Sequence, residues 1–119
     1  MKWFLAKTIH RIICGDGNHT PQFDEQLRLV SAANEAEAYS KAFRIGSSEE
    51  DSFYNQKQQL VQWKFVDIAE LYCLNELIDG AELYSRITEV DDASNYTDSI
   101  HRKAAAIRNQ EFSQIPFNQ

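Results

Sequence analysis

The chain has 119 residues, of which 43% are hydrophobic, 12% aromatic and 25% charged, and its formal net charge is -6 at pH 7. This length predicts one domain with one core, because domains usually take about 100–200 residues. The hydrophobic content excludes general disorder. The negative charge argues against a nucleic-acid duplex or an anionic membrane as partner, since both are bound mainly through Lys and Arg.

The apolar patterning argues against two further classes. No apolar run approaches the ~20 residues that a membrane helix needs. Only Trp-Phe-Leu-Ala separates Lys2 from Lys7, which is too short for the hydrophobic region of a signal peptide, so we expect a cytoplasmic protein. In that compartment Cys14 and Cys73 are expected to be free thiols.

The first predicted element is a strand over residues 2–13, with apolar side chains on both of its faces. A strand of this kind is typical of the centre of a sheet, or of a sheet that meets a partner molecule. The loop Gly15–Pro21 follows, and its turn-forming residues predict a hairpin. The second strand covers residues 23–32, where Phe23, Leu27 and Leu29 alternate with polar residues.

The hydrophobic period changes from two to 3.6 after this strand. Asn34 and Glu37 stand at the spacing of a capping box, so a helix is predicted to begin there. Its apolar arc consists of Ala38, Tyr39, Ala42 and Phe43. Gly46 follows this arc, and we expect it to end the helix as a left-handed residue.

The second half of the chain predicts two strands and a helix. Residues 47–59 are polar and read as a connector, with Phe53 and Tyr54 able to pin it to the core. Residues 60–68 predict the third strand, and residues 81–90 predict the fourth after a bend at Asp79-Gly80. Asp91, Asp92 and Ser94 precede a helical pattern of Tyr96, Ile100, Ala104 and Ile107, so a second helix is predicted there. Residues 110–119 are expected to form a frayed tail.

The order strand, strand, helix, strand, strand, helix predicts an α+β domain over residues 1–119. Its four-stranded, mostly antiparallel sheet would carry both helices on one face. The strands at 2–13 and 60–68 are apolar on both faces, so burial of the second face against a partner would be favourable. We therefore predict a non-enzymatic interaction or regulatory domain that forms homo-oligomers, or binds another protein, through this face or a sheet edge.

Four blocks of the sequence are similar to one known family. They are Trp3-Phe4-Leu5-Ala6-Lys7, Phe23-Asp24-Glu25-Gln26 with Arg28, Val61-Gln62-Trp63-Lys64-Phe65-Val66, and Asp79-Gly80-Ala81-Glu82-Leu83-Tyr84-Ser85. They resemble the blocks of Domain of Unknown Function 4288, a family of short bacterial proteins, over residues 2–88. The resemblance implies a small bacterial protein of unassigned role, and it carries over no functional residue.

A metal site is the first alternative for the hairpin. His10, Cys14, Asp16 and His19 lie close together in the sequence and are of metal-ligating types. His10 and Cys14, however, would be ~13 Å apart on a strand that rises ~3.3 Å per residue. We therefore predict no metal and no cofactor, with a core-facing His10, a buried Cys14 and a solvated turn.

A small-ligand-binding or enzymatic domain is the second alternative. Its site residues would be Asp16 and His19 in the Gly15–Pro21 loop, Asp24 and Arg28 on the second strand, and Glu82 on the fourth. Carboxylates beside an arginine can perform acid-base chemistry, although cross-strand ion pairs on a wet surface are the simpler interpretation. The sequence holds no glycine-rich phosphate loop, no Gly-x-Ser-x-Gly elbow and no paired-cysteine motif, so no activity is assigned.

Overall fold

The computed structural model describes residues 1–110. The chain divides into two compact units, Met1–Ser85 and Arg86–Gln119, which are described separately below. The predicted tail over residues 110–119 lies, except for its first residue, outside the described part. Neither helix within the described part is long and apolar enough to cross a membrane.

The described residues form four strands and two helices, and the α+β class is confirmed. The elements are β1 (Lys2–Cys14), β2 (Gln22–Ala32), α1 (Glu35–Ser48), β3 (Asp51–Tyr54), β4 (Leu60–Leu74) and α2 (Ala93–Arg108). The strands form one antiparallel sheet in the order β2-β1-β4-β3. The sheet therefore has two unequal edges, the long strand β2 and the short strand β3.

The predicted fourth strand is wrong, since residues 81–90 form no regular secondary structure. Their alternating pattern suits a strand, but a strand also needs a neighbour for its backbone groups. The fourth strand is instead β3, within the segment predicted as a polar connector. It pairs with the start of β4 from Asp51↔Trp63 to Tyr54↔Leu60.

Strand β4 is longer than predicted, because it continues to pair with β1 beyond residue 68. The pairing runs from Cys14↔Val61 to Trp3↔Leu74. Two register shifts, between Lys7 and Thr8 and between Ile9 and His10, accommodate extra β4 residues. Tertiary pairing thus extends the strand over residues 69–74, beyond its predicted end.

Helix α1 begins as predicted and ends later than predicted. The Asn34 side chain caps it by accepting a hydrogen bond from the Glu37 N–H at 2.9 Å, and the Glu37 carboxylate in turn accepts from the Ala33 N–H at 3.3 Å. Gly46 does not end the helix, which continues to Ser48. It lies instead where α1 passes closest to the Phe65 ring.

The core of the first unit lies between α1 and one face of the sheet. Its buried residues are Phe4, Ala6, Val30, Ala32, Ala38 and Ala42. Small alanines on the helix let it approach the larger side chains of β1 and β2 closely. This confirms for α1 that a helix covers one face of the sheet, as predicted.

Helix α2 belongs to the second unit, and it confirms the helix that the pattern from Tyr96 to Ile107 predicts. The Asp92 side chain caps it by accepting from the Asn95 N–H at 3.1 Å. None of its side chains is buried, and Tyr96, Ile100 and Ile107 are 42–58% exposed. The placement of this helix on the sheet stays a prediction.

Candidate functional site

The strand register divides the side chains of the sheet between two faces. On β1, every second residue from Phe4 to His10 is buried on the face that α1 covers: Phe4, Ala6, Thr8 and His10. The residues that alternate with them project to the other face, because strand side chains alternate. We call this the reverse face. Directly paired residues share a face, so Leu27 and Leu29 of β2, opposite Lys7 and Leu5, also lie on it.

The chain itself covers the reverse face around Lys7 of β1 and Tyr72 of β4. The ring of Tyr84 meets Tyr72 edge to face, with 5.5 Å between centroids, and the Lys7 Nζ lies 5.4 Å from the Tyr84 ring centre. Lys7 also pairs with Glu70 at 2.8 Å, and the hydrogen bond to this carboxylate raises the pKa of Lys7. Tyr84, which lies in the segment predicted as the fourth strand, therefore covers this part of the reverse face. Leu5, on the same face of β1, is buried.

The part of the reverse face along β2 is exposed. Phe23 is 55% exposed, Leu27 54% and Leu29 44%, and Trp3 at the end of β1 is 42% exposed. We call these four residues the β2 patch. The Arg11 guanidinium lies 6.0 Å from the Phe23 ring centre. Glu25 lies on the same face between Phe23 and Leu27. Exposed apolar side chains on an edge strand are a feature of interaction surfaces.

The face of β2 on the α1 side carries a series of hydrogen-bonded polar side chains. The Gln26 side-chain amide donates to Asp24 Oδ2 at 2.6 Å. Its oxygen accepts from Arg28 Nη2 at 2.7 Å, and Arg28 also pairs with Glu49 at 3.3 Å. The Trp63 indole N–H donates to the same Asp24 oxygen at 3.3 Å. The predicted residues Asp24 and Arg28 are therefore joined through Gln26.

Sequence analysis missed three of the residues that form these polar contacts. Gln26 lies two residues from both Asp24 and Arg28, and strand alternation could have identified it. Glu49 and Trp63 come from the end of α1 and from β4, and no local pattern indicates them. The arrangement holds three polar side chains of β2 in one row on a half-buried surface.

The hairpin loop uses its polar side chains to hold its own shape. His19 Nε2 accepts from the Cys14 N–H at 2.9 Å, so the proton must be on Nδ1, which donates to the Thr20 carbonyl at 2.9 Å. Asp16 Oδ1 accepts from the Asn18 N–H at 2.9 Å. Both predicted residues line a cleft of 510 Å³ beside Cys14 and Gln59.

His10 is fully buried and faces the core, as predicted, while Cys14 is half-buried rather than buried. The His10 Nε2–H donates to the Gly46 carbonyl at 2.9 Å. His10 Nδ1 and Thr8 Oγ1 are buried, and within the described part neither has a hydrogen-bond partner. The His10 ring is therefore committed to anchoring the end of α1.

Glu82 lies near the opposite end of the sheet from the hairpin. It lines a cleft of 200 Å³ with Tyr72, Cys73 and Leu74 at the end of β4. The hairpin follows Cys14, at the other end of β1. The five predicted site residues thus occupy three places, and only Asp24 and Arg28 share a network.

The comparisons with known proteins point to one family. A family model described as a domain of unknown function, DUF4288, matches residues 3–85. No curated protein and no solved structure matches the chain. The matched residues coincide with the first compact unit, which holds the sheet, α1 and the covering residue Tyr84. The chain therefore belongs to the DUF4288 family, whose function is unknown.

Proposed function

We propose that this chain is a non-enzymatic protein-interaction domain that associates with a second copy of itself through the β2 side of its sheet. The β2 patch is the observation that carries this proposal. Phe23, Leu27 and Leu29 expose about half of their surface each, although Leu5, which is paired with Leu29, is buried. Burial of these side chains in an interface removes apolar area from water.

The patch alone is too small to drive association. Full burial of a large apolar side chain contributes about 1.5–3 kcal/mol, so four half-exposed residues contribute on the order of 4 kcal/mol. Association costs about 4–15 kcal/mol in lost translational and rotational freedom. The partner must therefore bind more than the β2 patch. The backbone edge of β2 lies next to the patch and can supply the additional contacts.

The two edges of the sheet differ in what they offer a partner. Strand β2 has 11 residues at its edge, whereas β3 has four. An edge strand presents backbone N–H and C=O groups that can pair with another strand. The β2 edge also adjoins the β2 patch, so one partner can bury apolar side chains and satisfy backbone groups at the same time.

Light scattering after size-exclusion chromatography tests the proposal. We expect a mass of twice the 13.8 kDa of the chain at micromolar concentration, falling on dilution. Leu27→Glu should give the monomer mass, because it places a carboxylate in the patch. Tyr54→Glu is the matched control, since Tyr54 is 69% exposed on the other edge strand. A wild-type chain that stays monomeric at all accessible concentrations would remove the proposal.

A further inference from the structure

We propose that the second copy pairs antiparallel along β2, about a two-fold axis that passes through Gln26. The two sheets would then continue into one another as a single eight-stranded sheet. This inference rests on the proposed self-association, and it adds the edge, the direction and the register of the contact.

The β2 edge is long and regular enough for this pairing. Its register with β1 runs without a shift from Ile12↔Gln22 to Lys2↔Ala32, and the strand contains neither Pro nor Gly. Proteins often protect edge strands with such residues or with bulges. The Lys41 ammonium donates a hydrogen bond to the Ser31 carbonyl at 3.0 Å. A pairing centred on Gln26 ends before Ser31, so it does not need this carbonyl.

Symmetry restricts which residues can face each other. A two-fold axis perpendicular to the sheet keeps each face on its own side, so opposed residues lie at equal distances on either side of the central residue. About Gln26, Asp24 faces Arg28 of the partner subunit, and Arg28 faces Asp24 of the partner subunit. On the reverse face, Phe23 meets Leu29 of the partner subunit. Glu25 faces Leu27 of the partner subunit on the same face. The register thus gives Asp24 and Arg28 an opposite charge and Phe23 an apolar neighbour, while Leu27 lies beside a carboxylate.

Neighbouring registers are less complementary. An axis through Glu25 opposes two carboxylates, and one through Arg28 opposes two guanidinium groups. Like charges directly opposite one another destabilise a strand pair. An axis through Leu27 avoids both clashes but places Asp24 opposite Val30. Among these four registers, the one about Gln26 alone gives both Asp24 and Arg28 an opposite charge.

The side chains are already held in place for this contact. Asp24, Gln26 and Arg28 form a hydrogen-bonded row on one face of β2, so pairing orders few additional rotamers. Two such rows would run antiparallel side by side, with Gln26 facing Gln26 of the partner subunit. The Arg28 side chain is 36% exposed, which leaves it accessible to the partner's carboxylate.

Charge reversal gives the sharpest test. Asp24→Arg and Arg28→Asp each create two like-charge oppositions in the symmetric dimer, and we expect the dissociation constant of each variant to rise about tenfold. In an equimolar mixture, the Asp24→Arg chain has arginine at positions 24 and 28, and the Arg28→Asp chain has aspartate at both. Every opposed pair in the heterodimer then joins an arginine to an aspartate. The mixture should therefore form the heterodimer, which native mass spectrometry separates from the two homodimers by mass.

The mixture also controls for folding, because two misfolded variants would not restore each other. If the wild type is monomeric, the proposed function fails together with this inference. If the wild type dimerises and both charge variants dimerise equally well, the edge register is wrong while self-association stands. The register is also wrong if the variants stay monomeric when mixed but retain the wild-type circular dichroism spectrum.

Cysteine cross-linking measures the register directly. In a chain with Cys14→Ser and Cys73→Ser, Gln26→Cys should form an intermolecular disulfide, because directly opposed residues have Cα atoms about 4.5–5.5 Å apart and a disulfide spans about 4.4–6.8 Å. Leu27→Cys is the control, and it should cross-link poorly, since Leu27 faces Glu25 of the partner subunit. Efficient cross-linking at residue 27 but not at residue 26 would overturn the register.

Discussion

Gly46 illustrates how a single residue joins α1 to the sheet. A Cβ at this position would lie 2.7 Å from Cδ1 of the Phe65 ring, so any larger residue would push the helix away. Its carbonyl accepts the hydrogen bond from the buried His10 ring. The Phe65 ring also packs edge to face on Phe43, with 5.0 Å between centroids. The absence of a side chain at Gly46 therefore allows three contacts to form together.

Gly46→Ala should destabilise the protein. Overpacking of a fitted core costs about 1–3 kcal/mol, and the gain in helix propensity from Gly to Ala offsets at most about 1 kcal/mol. Urea unfolding followed by circular dichroism measures the net loss. Ser40→Ala is the control, because Ser40 is exposed on the same helix and its replacement should leave stability unchanged or slightly higher. A Gly46→Ala variant as stable as the wild type would contradict this account.

Tyr39 and Asp67 form a contact that depends on pH. The Tyr39 hydroxyl donates to Asp67 Oδ1 at 2.7 Å, and the Ile68 N–H donates to the same oxygen at 2.7 Å. The hydrogen bond from Tyr39, followed by that from Ile68, lowers the pKa of Asp67, and the bond to Asp67 raises the pKa of Tyr39. The folded pKa of Asp67 thus lies below its unfolded value of about 3.9. Its contribution to stability is present above that value and is lost as the pH falls through the lowered pKa.

Tyr39→Phe should raise the pKa of Asp67 towards its ordinary value, because it removes the hydrogen bond that lowers this pKa the most. An NMR titration of the Asp67 carboxyl carbon measures this shift directly. Tyr54→Phe serves as the control, since Tyr54 lies exposed on β3. An unchanged Asp67 titration in Tyr39→Phe would show that the hydroxyl does not stabilise the carboxylate.

At the scale of elements, local signals and tertiary pairing act on different parts of the chain. The start of α1 depends on Asn34 and Glu37, which lie within one helical turn of it. The extent of β4 depends on β1, which lies about 60 residues away in sequence and supplies partners up to Trp3↔Leu74. Helix starts are thus governed by neighbouring residues, whereas the ends of a strand are governed by its partner.

Asn34→Ala should lower the free energy of unfolding by about 1 kcal/mol, because it leaves an N–H of the first turn without its side-chain acceptor. Chemical unfolding measures the loss. Asn34→Asp is the matched variant, and it should retain most of the stability, since its carboxylate can accept the same hydrogen bond from the Glu37 N–H. Equal stability of the Ala and Asp variants would show that the cap is not used.

At the scale of the whole molecule, the first compact unit and the family match cover nearly the same residues. The unit is Met1–Ser85 and the match is 3–85. This unit contains the sheet, α1 and the contacts of Tyr84 with Tyr72 and Lys7. It therefore holds a core of its own, which is the physical requirement for independent folding.

A chain that ends at Ser85 should fold cooperatively by itself. Far-ultraviolet circular dichroism and urea unfolding measure this directly. A chain that ends at Leu74 is the comparison, and it should be less stable because it loses the cover that Tyr84 provides on the reverse face. If the Ser85 chain were unfolded, the first unit would need the rest of the protein, as the prediction of one domain over residues 1–119 implies.

The candidate interaction surface was only partly predictable. The alternation of Phe23, Leu27 and Leu29 placed them on one face of β2 from the sequence alone, because a strand side chain has only two directions. The sequence also predicted an apolar second face for the sheet. It could not show that Tyr84 covers that face around Lys7 and Tyr72, since Tyr84 and Lys7 are far apart in the chain.

The amino-acid sequence by itself determined the α+β class, the strands β1 and β2, and the cap at Asn34, because periodicity and capping act between residues a few positions apart. Tertiary structure alone decided the identity of β3, the length of β4 and the position of Gly46 against Phe65. It also brought Glu49 and Trp63 to the polar row of β2. Each of these depends on a partner that only the folded chain brings near, and no local pattern records such a distance.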